Sequence, residues 1–230
     1  MNTIAIITAR GGSKRIPKKN IKEFVGKPIL AYSIEAALQA GFSEVMVSTD
    51  SEEIASIAKE YGANVPFLRS EATSNDFATT ADVLSEVISE YEKQGKTFDV
   101  LCCIYPTAPF VTAEKLKNAL ALMEKENADS LMPVVKYGFP PQRAMVIRDG
   151  VLTYQYPENI NKRSQDLEPV YHDCGQFYFC KVDGFKAAHK VVFGKSVPLV
   201  MPEEEVQDID NQSDWEIAEI KYRKFILKES

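Results

Sequence analysis

Residues 4–20 of this 230-residue chain read I-A-I-I-T-A-R-G-G-S-K-R-I-P-K-K-N. The apolar run Ile4 to Ile7 is typical of a strand buried on both faces of a parallel sheet. The chain then turns at Gly11 and Gly12, where the absence of a Cβ lets backbone N–H groups approach an anion. Four cations surround the turn: Arg10, Lys14, Lys18 and Lys19. The pattern is neither a Walker A loop nor a dinucleotide fingerprint, and it predicts a phosphate site. A solvated glycine turn is the alternative.

Strands and helices alternate through the rest of the first half. Predicted strands cover residues 45–48, 65–68 and 98–105, and predicted helices run from Pro28 to Gly41, from Asp50 or Ser51 to Gly62, and from Thr79 or Thr80 through Tyr91. This order predicts an α/β fold with a doubly wound, mainly parallel sheet. In such sheets ligands bind beyond the carboxyl ends of the strands, so the segments that follow strands are the candidate site.

Two further segments end predicted strands. S-T-D spans residues 48–50, and Y-P-T-A-P spans residues 105–109. The two prolines of the second segment favour an extended backbone that can hold the edge of a base. A rigid turn into a helix capped by Thr112 explains the same residues equally well.

An acidic pair occurs near the carboxyl terminus in the segment Q-D-I-D-N, residues 207–211. In an extended backbone Asp208 and Asp210 project to the same face, where two carboxylates suit Mg²⁺. Helix capping is the alternative, a role for which Asp214 is also a candidate. A cationic loop combined with a carboxylate-bound metal indicates transfer chemistry at a nucleoside triphosphate.

The second half of the chain differs in composition. Residues 137–171 are rich in Pro, Tyr, Asn and Arg and lack a helical period. We expect a β-rich excursion from a single domain, residues 1–230, and such arms commonly contact a partner subunit. Aromatic and apolar strands are predicted at residues 175–180 and 197–201.

Charge and cysteine content narrow the class of protein. The net charge of −6 argues against general nucleic-acid binding, and no apolar segment reaches membrane-spanning length. The four cysteines lack C-x-x-C spacing, so we expect reduced structural thiols. Because Arg10 also interrupts the N-terminal apolar run early, we expect a cytoplasmic protein without a membrane partner.

Four motifs together resemble a known family. A-R-G-G-S-K-R-I-P-K-K-N, S-T-D, Y-P-T-A-P and D-I-D occur in the order found in the cytidylyltransferases that activate nonulosonic acids, the group that includes CMP-sialic acid synthetases. Residues 163–178 resemble the pseudaminic acid branch, because H-D-C-G stands where the N-acetylneuraminate branch has R-P-N-G. Tyr105 replaces a glutamine that relatives place near the sugar.

The resemblance implies a GT-A-like fold, a homodimer joined through the excursion, and Mg²⁺ as cofactor. It implies CMP transfer from CTP to the C2 hydroxyl of a nonulosonic acid, which we expect to be pseudaminic acid. Legionaminic or N-acetylneuraminic acid is the first alternative. Another sugar nucleotidyltransferase and a non-catalytic nucleotide-binding protein are the others.

The same resemblance implies roles for individual residues. Catalytic positions are Arg10, Lys19, Asp208 and Asp210, of which the two aspartates are the metal ligands. Nucleotide contacts are Ala9, Arg10, Gly11, Gly12, Ser13, Lys14, Asn20, Arg69, Thr80 and Pro106. Sugar-acid contacts are Gln142, Arg163, Tyr171, Asp173, Gln176 and Tyr178, with Arg163 opposite the carboxylate. His172 is an alternative proton acceptor.

Overall fold

A computed structural model describes residues 1–229. The strands are β1 (Thr3–Thr8), β2 (Glu23–Phe24), β3 (Lys27–Pro28), β4 (Glu44–Ser48), β5 (Val100–Ile104), β6 (Ser130–Lys136), β7 (Met145–Arg148), β8 (Val151–Tyr154), β9 (Tyr171–Asp173), β10 (Phe177–Lys181) and β11 (Ser196–Val200). The helices are α1 (Ile29–Ala40), α2 (Glu52–Glu60), α3 (Glu71–Ser74), α4 (Thr80–Lys93), α5 (Ala113–Lys125), α6 (Val182–Ala188) and α7 (Gln212–Lys221), and a π-helical turn, Tyr222–Ile226, extends α7.

A seven-stranded sheet forms the centre of the molecule. Its order is β4-β1-β5-β10-β6-β11, and β9 pairs with β6. β1 is parallel to β4 and β5, and β6 is parallel to β11, whereas β10 runs antiparallel between β5 and β6. Because β5 and β6 are both antiparallel to β10, they share one direction with β1, β4 and β11. The predicted mainly parallel α/β sheet is therefore confirmed.

Helices cover both faces of the sheet. Ile4 to Ile7 are fully buried, as the apolar run predicts. Ala5 and Ile7 face a cluster that contains residues of α1, α2 and α5, whereas Ile4 and Ile6 face a cluster with residues of α4 and α6. Full burial of each isoleucine contributes about 1.5–3 kcal/mol relative to exposure, so this strand anchors both layers.

Side-chain caps set the starts of four helices. Ser51, Thr79, Thr112 and Asn211 each accept a bond from a backbone N–H in the first turn of α2, α4, α5 and α7. Ser51, rather than Asp50, caps α2, and Asp214 completes the capping box of Asn211. Thr112 caps its helix as one of the two interpretations of the Y-P-T-A-P segment expects.

The predicted strand at residues 65–68 is wrong. Only an isolated parallel bridge joins Asn64 to Met46, and residues 65–68 lie outside the strands. Pro66 has no N–H to donate to a ladder, which disfavours a strand here. Sequence reasoning also missed β6, which carries Pro133 in its middle.

Residues 137–170 leave the central sheet. β7 and β8 pair only with each other, and their turn has Asp149 and Gly150 at φ 52° and 76°. Positive φ at both central residues is the geometry of a tight hairpin. Tyr171 already belongs to β9 in the main sheet. Among residues 1–229, no helix has both the length and the apolar character needed to cross a bilayer.

Candidate active site

A cleft of about 510 Å³ opens at the carboxyl ends of β1 and β5. Its walls are Thr8, Arg10, Ser13, Lys14, Arg15, Lys19, Asn20, Tyr105, Pro106, Thr107, Asp208 and Asp210. A larger cavity, about 920 Å³, lies where β5 begins, beside Asp99 and Val100. Because ligands of parallel sheets bind at the carboxyl ends of strands, and because the smaller cleft holds the cations, we place the chemistry in the smaller cleft.

Hydrogen bonds hold the cationic loop in shape. Asp50 Oδ1 accepts from the Gly11 N–H at 2.8 Å, and Asn20 Nδ2 donates to the Arg10 carbonyl at 2.8 Å. A Cβ on Gly11 would stand 3.2 Å from the Ser51 Cβ, so a larger residue would press on the start of α2. Ser13 Oγ donates to the Ile16 carbonyl at 2.5 Å, so in this state Ser13 supports the loop.

Two cations of the loop share one carboxylate. Arg10 Nη1 lies 2.7 Å from Asp76 Oδ1, and Lys14 Nζ lies 2.5 Å from Asp76 Oδ2. The bonds from Lys14 and then from Arg10 lower the pKa of Asp76. In this structure Arg10 and Lys14 are therefore already paired with a carboxylate.

The acidic pair forms the opposite wall. Asp208 and Asp210 both face the cleft while Ile209 is fully buried between them, as the alternation predicts. Lys19 Nζ donates to the Ile209 carbonyl at 2.7 Å, and Arg15 Nη2 lies 2.7 Å from Asp210 Oδ1. Burial lowers the pKa of Lys19, and the two carboxylates oppose that effect. Burial and then the charge of Asp210 raise the pKa of Asp208.

The donor set of this wall fits Mg²⁺. Two carboxylates whose repulsion raises a pKa are stabilised by a divalent cation, and Mg²⁺ completes its shell with phosphate oxygens and water. No cluster of three or more His, Cys, Asp or Glu side chains able to hold a metal occurs in residues 1–229.

A second cleft, about 380 Å³, adjoins the first at Asp208. His172 and Asp173 lie in its wall, and Lys136 and Lys221 add cations. The His172 Nδ1 atom is 2.9 Å from the Asp173 carbonyl. The shared aspartate places two compartments side by side, one strongly cationic and one of mixed charge.

Some residues with implied nucleotide contacts lie behind the cleft. Arg69 Nη2 donates to the Ser48 carbonyl at 2.8 Å, and the Thr80 hydroxyl is 3.4 Å from the Tyr105 hydroxyl. Ala9 is fully buried. In this state Arg69 and Ala9 support the carboxyl end of β4, since the Ala9 N–H also bonds the Ser48 carbonyl.

The residues with implied sugar contacts are dispersed in the single chain. Asp173 lines the second cleft, but Tyr178 is buried and donates from its hydroxyl to Asp173 Oδ2 at 2.5 Å. Tyr171 is exposed in β9. Gln142 and Arg163 lie in the excursion, where Gln142 Nε2 donates to the Glu168 carbonyl at 2.7 Å and Arg163 Nε bonds Asp166 at 2.7 Å.

Gln176, the remaining residue with an implied sugar contact, is buried in this structure. Only 1% of this residue is exposed, and its Nε2 donates to the Glu205 carbonyl at 2.7 Å. It supports the backbone that leads to Asp208.

Sequence reasoning did not single out Arg15, Thr107 or Asp76, although all three bear on the cleft. Arg15 lies within the basic loop, so its position was a usable signal. No sequence signal pointed to Asp76, because it lies 66 residues from Arg10.

Comparisons with known proteins agree on a family. A family model described as cytidylyltransferase matches residues 4–178. A pseudaminic acid cytidylyltransferase from Campylobacter jejuni subsp. jejuni serotype O:2 is 40% identical over 97% of each chain. A CMP-N,N'-diacetyllegionaminic acid synthase from Legionella pneumophila is 33% identical over 95% of each chain. The solved structure of a CMP:2-keto-3-deoxy-manno-octonic acid synthetase complexed with CTP has a TM-score of 0.70 at 18% identity over the full length of both chains, which supports the fold.

Proposed function

This chain belongs to the cytidylyltransferase family, and from that premise we propose that it transfers CMP from CTP to the anomeric C2 hydroxyl of pseudaminic acid. The observation that carries the proposal is the convergence of the cationic loop, Lys19 and the Asp208–Asp210 pair in one cleft. The choice of sugar acid is supported by the relative named for pseudaminic acid, which aligns over 97% of both chains.

The side chains of the cleft have different roles in the proposed reaction. Arg10 and Lys14 hold the β- and γ-phosphates once these displace Asp76, and Lys19 faces the α-phosphate beside the acidic pair. The C2 oxygen attacks the α-phosphorus in line; its bond to phosphorus forms as the bond to the pyrophosphate oxygen breaks, pyrophosphate leaves, and the hydroxyl proton passes to solvent water. Positive charge placed in advance at the phosphates stabilises the transition state.

We infer that Asp208 and Asp210 hold Mg²⁺, which supplies positive charge at the phosphates when bound. Asp208→Asn and Asp210→Asn remove a metal-binding charge with little change in volume. Each should abolish most turnover while the circular dichroism spectrum stays unchanged. Asp149→Asn, in the distant β7–β8 turn, is the control. Near-normal activity of both cleft variants would refute this metal position.

The sugar acid is assigned to the second cleft, where Asp208 is shared with the nucleotide compartment. Its own polar groups must then distinguish the ring substituents, because the carboxylate and anomeric centre are common to all nonulosonic acids. A polar group left unpaired against the wrong sugar costs about 1–3 kcal/mol, equivalent to about 5- to 150-fold in kcat/KM.

A substrate panel tests the reaction and the sugar separately. Pyrophosphate release is measured with pseudaminic, legionaminic and N-acetylneuraminic acids at matched concentration, first with CTP and then with UTP, GTP and ATP. We expect CTP and pseudaminic acid to give the highest kcat/KM. Equal or better rates with another nonulosonic acid would change the sugar assignment alone, whereas preference for another nucleotide would refute CMP transfer.

We also propose that the chain forms a homodimer in the cytoplasm. The excursion exposes apolar side chains of β7 and β8, among them Ile147, which is 74% exposed. Several large apolar side chains exposed on one hairpin support an interaction surface there. Four buried free cysteines are compatible with a reducing compartment.

A further inference from the structure

The acidic segment, residues 203–210, is held by donors from four separate parts of the chain. Gln176 Nε2 bonds the Glu205 carbonyl at 2.7 Å, and Lys115 Nζ lies 2.5 Å from Glu205 Oε2. Lys221 Nζ bonds the Val206 carbonyl at 2.8 Å. Lys19 Nζ bonds the Ile209 carbonyl at 2.7 Å. Four donors thus converge on the segment that carries the acidic pair, one each from the cationic loop, α5, α7 and the turn before β10.

Gln176 is the most buried of these donors and connects the end of β5 with the acidic segment. Its own carbonyl accepts from the Tyr105 N–H at 2.8 Å, so its backbone is fixed to the end of β5 while its side chain reaches residue 205. The preceding Gly175 has φ 62°, and a Cβ there would stand 3.8 Å from Asp208 Cγ. The turn between β9 and β10 therefore bonds the acidic segment at residue 205 and passes close to it at residue 208.

We propose that Gln176 is a positioning residue that, together with Lys115, sets the place of the Asp208 carboxylate opposite the cationic loop. The proposal rests on the proposed function for the meaning of that carboxylate. Burial removes Gln176 from contact with substrate, and its amide acts through the backbone of Glu205. Gln176 then links the end of β5 to the wall that carries the acidic pair, because it bonds Tyr105 through its backbone and Glu205 through its side chain.

The test uses Gln176→Met, which keeps the length of the side chain and removes the donor. Lys115→Met is the second variant, and Lys117→Met, exposed on the same helix, is the matched control. Hydrogen exchange of residues 203–210 and the affinity for Mn²⁺ in the presence of CTP are measured on the full chain without any sugar acid. Steady-state kinetics then give the Mg²⁺ concentration for half-maximal rate and KM for each substrate.

For both positioning variants we expect faster exchange in residues 203–210 and Mn²⁺ affinity weaker by on the order of tenfold, the low end for residues that support metal ligands. The Mg²⁺ requirement should rise while KM for CTP stays near that of the parent protein. The control should change none of these. If Gln176→Met does not fold, Lys115→Met decides the question.

Unchanged exchange and Mn²⁺ affinity together with a raised KM for the sugar acid would overturn the proposal, because that pattern belongs to a direct substrate contact. Neither the hydrogen exchange nor the Mn²⁺ affinity measurement requires turnover. They therefore decide this inference even if the parent protein proves inactive with every nonulosonic acid, an outcome that would refute the proposed function alone.

Discussion

Lys19 combines partial burial with an unusual set of neighbours. Its ammonium bonds the Ile209 carbonyl, and Asp208 and Asp210 oppose the effect of burial on its pKa. A cation held in this way before substrate arrives needs little reorganisation when charge develops on the α-phosphate. Its position suits the chemical step more than capture of the nucleotide.

We predict that Lys19→Ala lowers kcat by roughly 10²-fold, the loss typical of one pre-positioned donor, with a smaller change in KM for CTP. Lys18→Ala is the matched control, since the Lys18 ammonium bonds Glu53, outside the cleft. Steady-state kinetics at saturating Mg²⁺ provide the measurement. A raised KM with unchanged kcat would instead assign Lys19 to ground-state binding.

Asp76 pairs with Arg10 and Lys14, the two cations that we assign to the phosphates of CTP. We predict that Asp76→Asn lowers KM for CTP about two- to fivefold, because exposed ion pairs of modest strength no longer have to break. The gain should shrink at high salt, which screens the exposed pairs. Glu71→Gln, on the neighbouring short helix α3, is the control. An increase in KM would show that Asp76 organises the two cations for binding.

Helix α4 begins with a capping box formed by Thr79 and Asp82. The stability that this box contributes depends on pH, because the carboxylate of Asp82 accepts its hydrogen bonds. Asp82 accepts from the Thr79 N–H at 2.8 Å and from the Thr79 hydroxyl at 2.7 Å. These bonds, followed by the contact of His189 Nε2 with Asp82 Oδ1 at 2.9 Å, lower the pKa of Asp82 from 3.8 to about 2. A lowered pKa in the folded state contributes stability that is complete above the unfolded pKa and is lost as the pH falls through the folded value.

We therefore predict that Thr79→Ala destabilises the protein by about 1 kcal/mol at neutral pH, or a Tm lower by roughly 2–4 °C. The difference from the parent protein should shrink as the pH falls from about 4 towards 2. Thr112→Ala is the matched control, because Thr112 caps α5 with Lys115 at the corresponding position. Urea unfolding across this pH range provides the measurement, and a constant difference would exclude the coupling.

At the scale of the whole molecule, the excursion carries apolar surface that the single chain does not cover. Ile147 is 74% exposed, and Phe139 and Val151 are exposed within the same excursion. We predict that Ile147→Lys shifts the protein from dimer to monomer in light scattering, because a charge would have to be buried at the interface. Ile220→Lys, which replaces an exposed isoleucine on α7, should leave the dimer intact. A parent protein that is monomeric at micromolar concentration would contradict the proposed dimer.

Local sequence determined the features that depend on local periodicity and residue type. The run from Ile4 to Ile7 is buried on both faces because every position is apolar, and Asp208 and Asp210 share a face because side chains alternate along extended backbone. The glycine pair and its cations indicated an anion site from sequence because the turn and its charges lie within ten residues of one another.

Tertiary structure alone decided which distant groups meet. The contact between Lys19 and the Ile209 carbonyl spans 190 residues, and that between Arg10 and Asp76 spans 66. No local period encodes such pairs, and the bond from the buried Gln176 to the Glu205 carbonyl, 29 residues away, is another of them. The antiparallel insertion of β10 between β5 and β6 has the same origin, because strand order depends on how the finished layers pack.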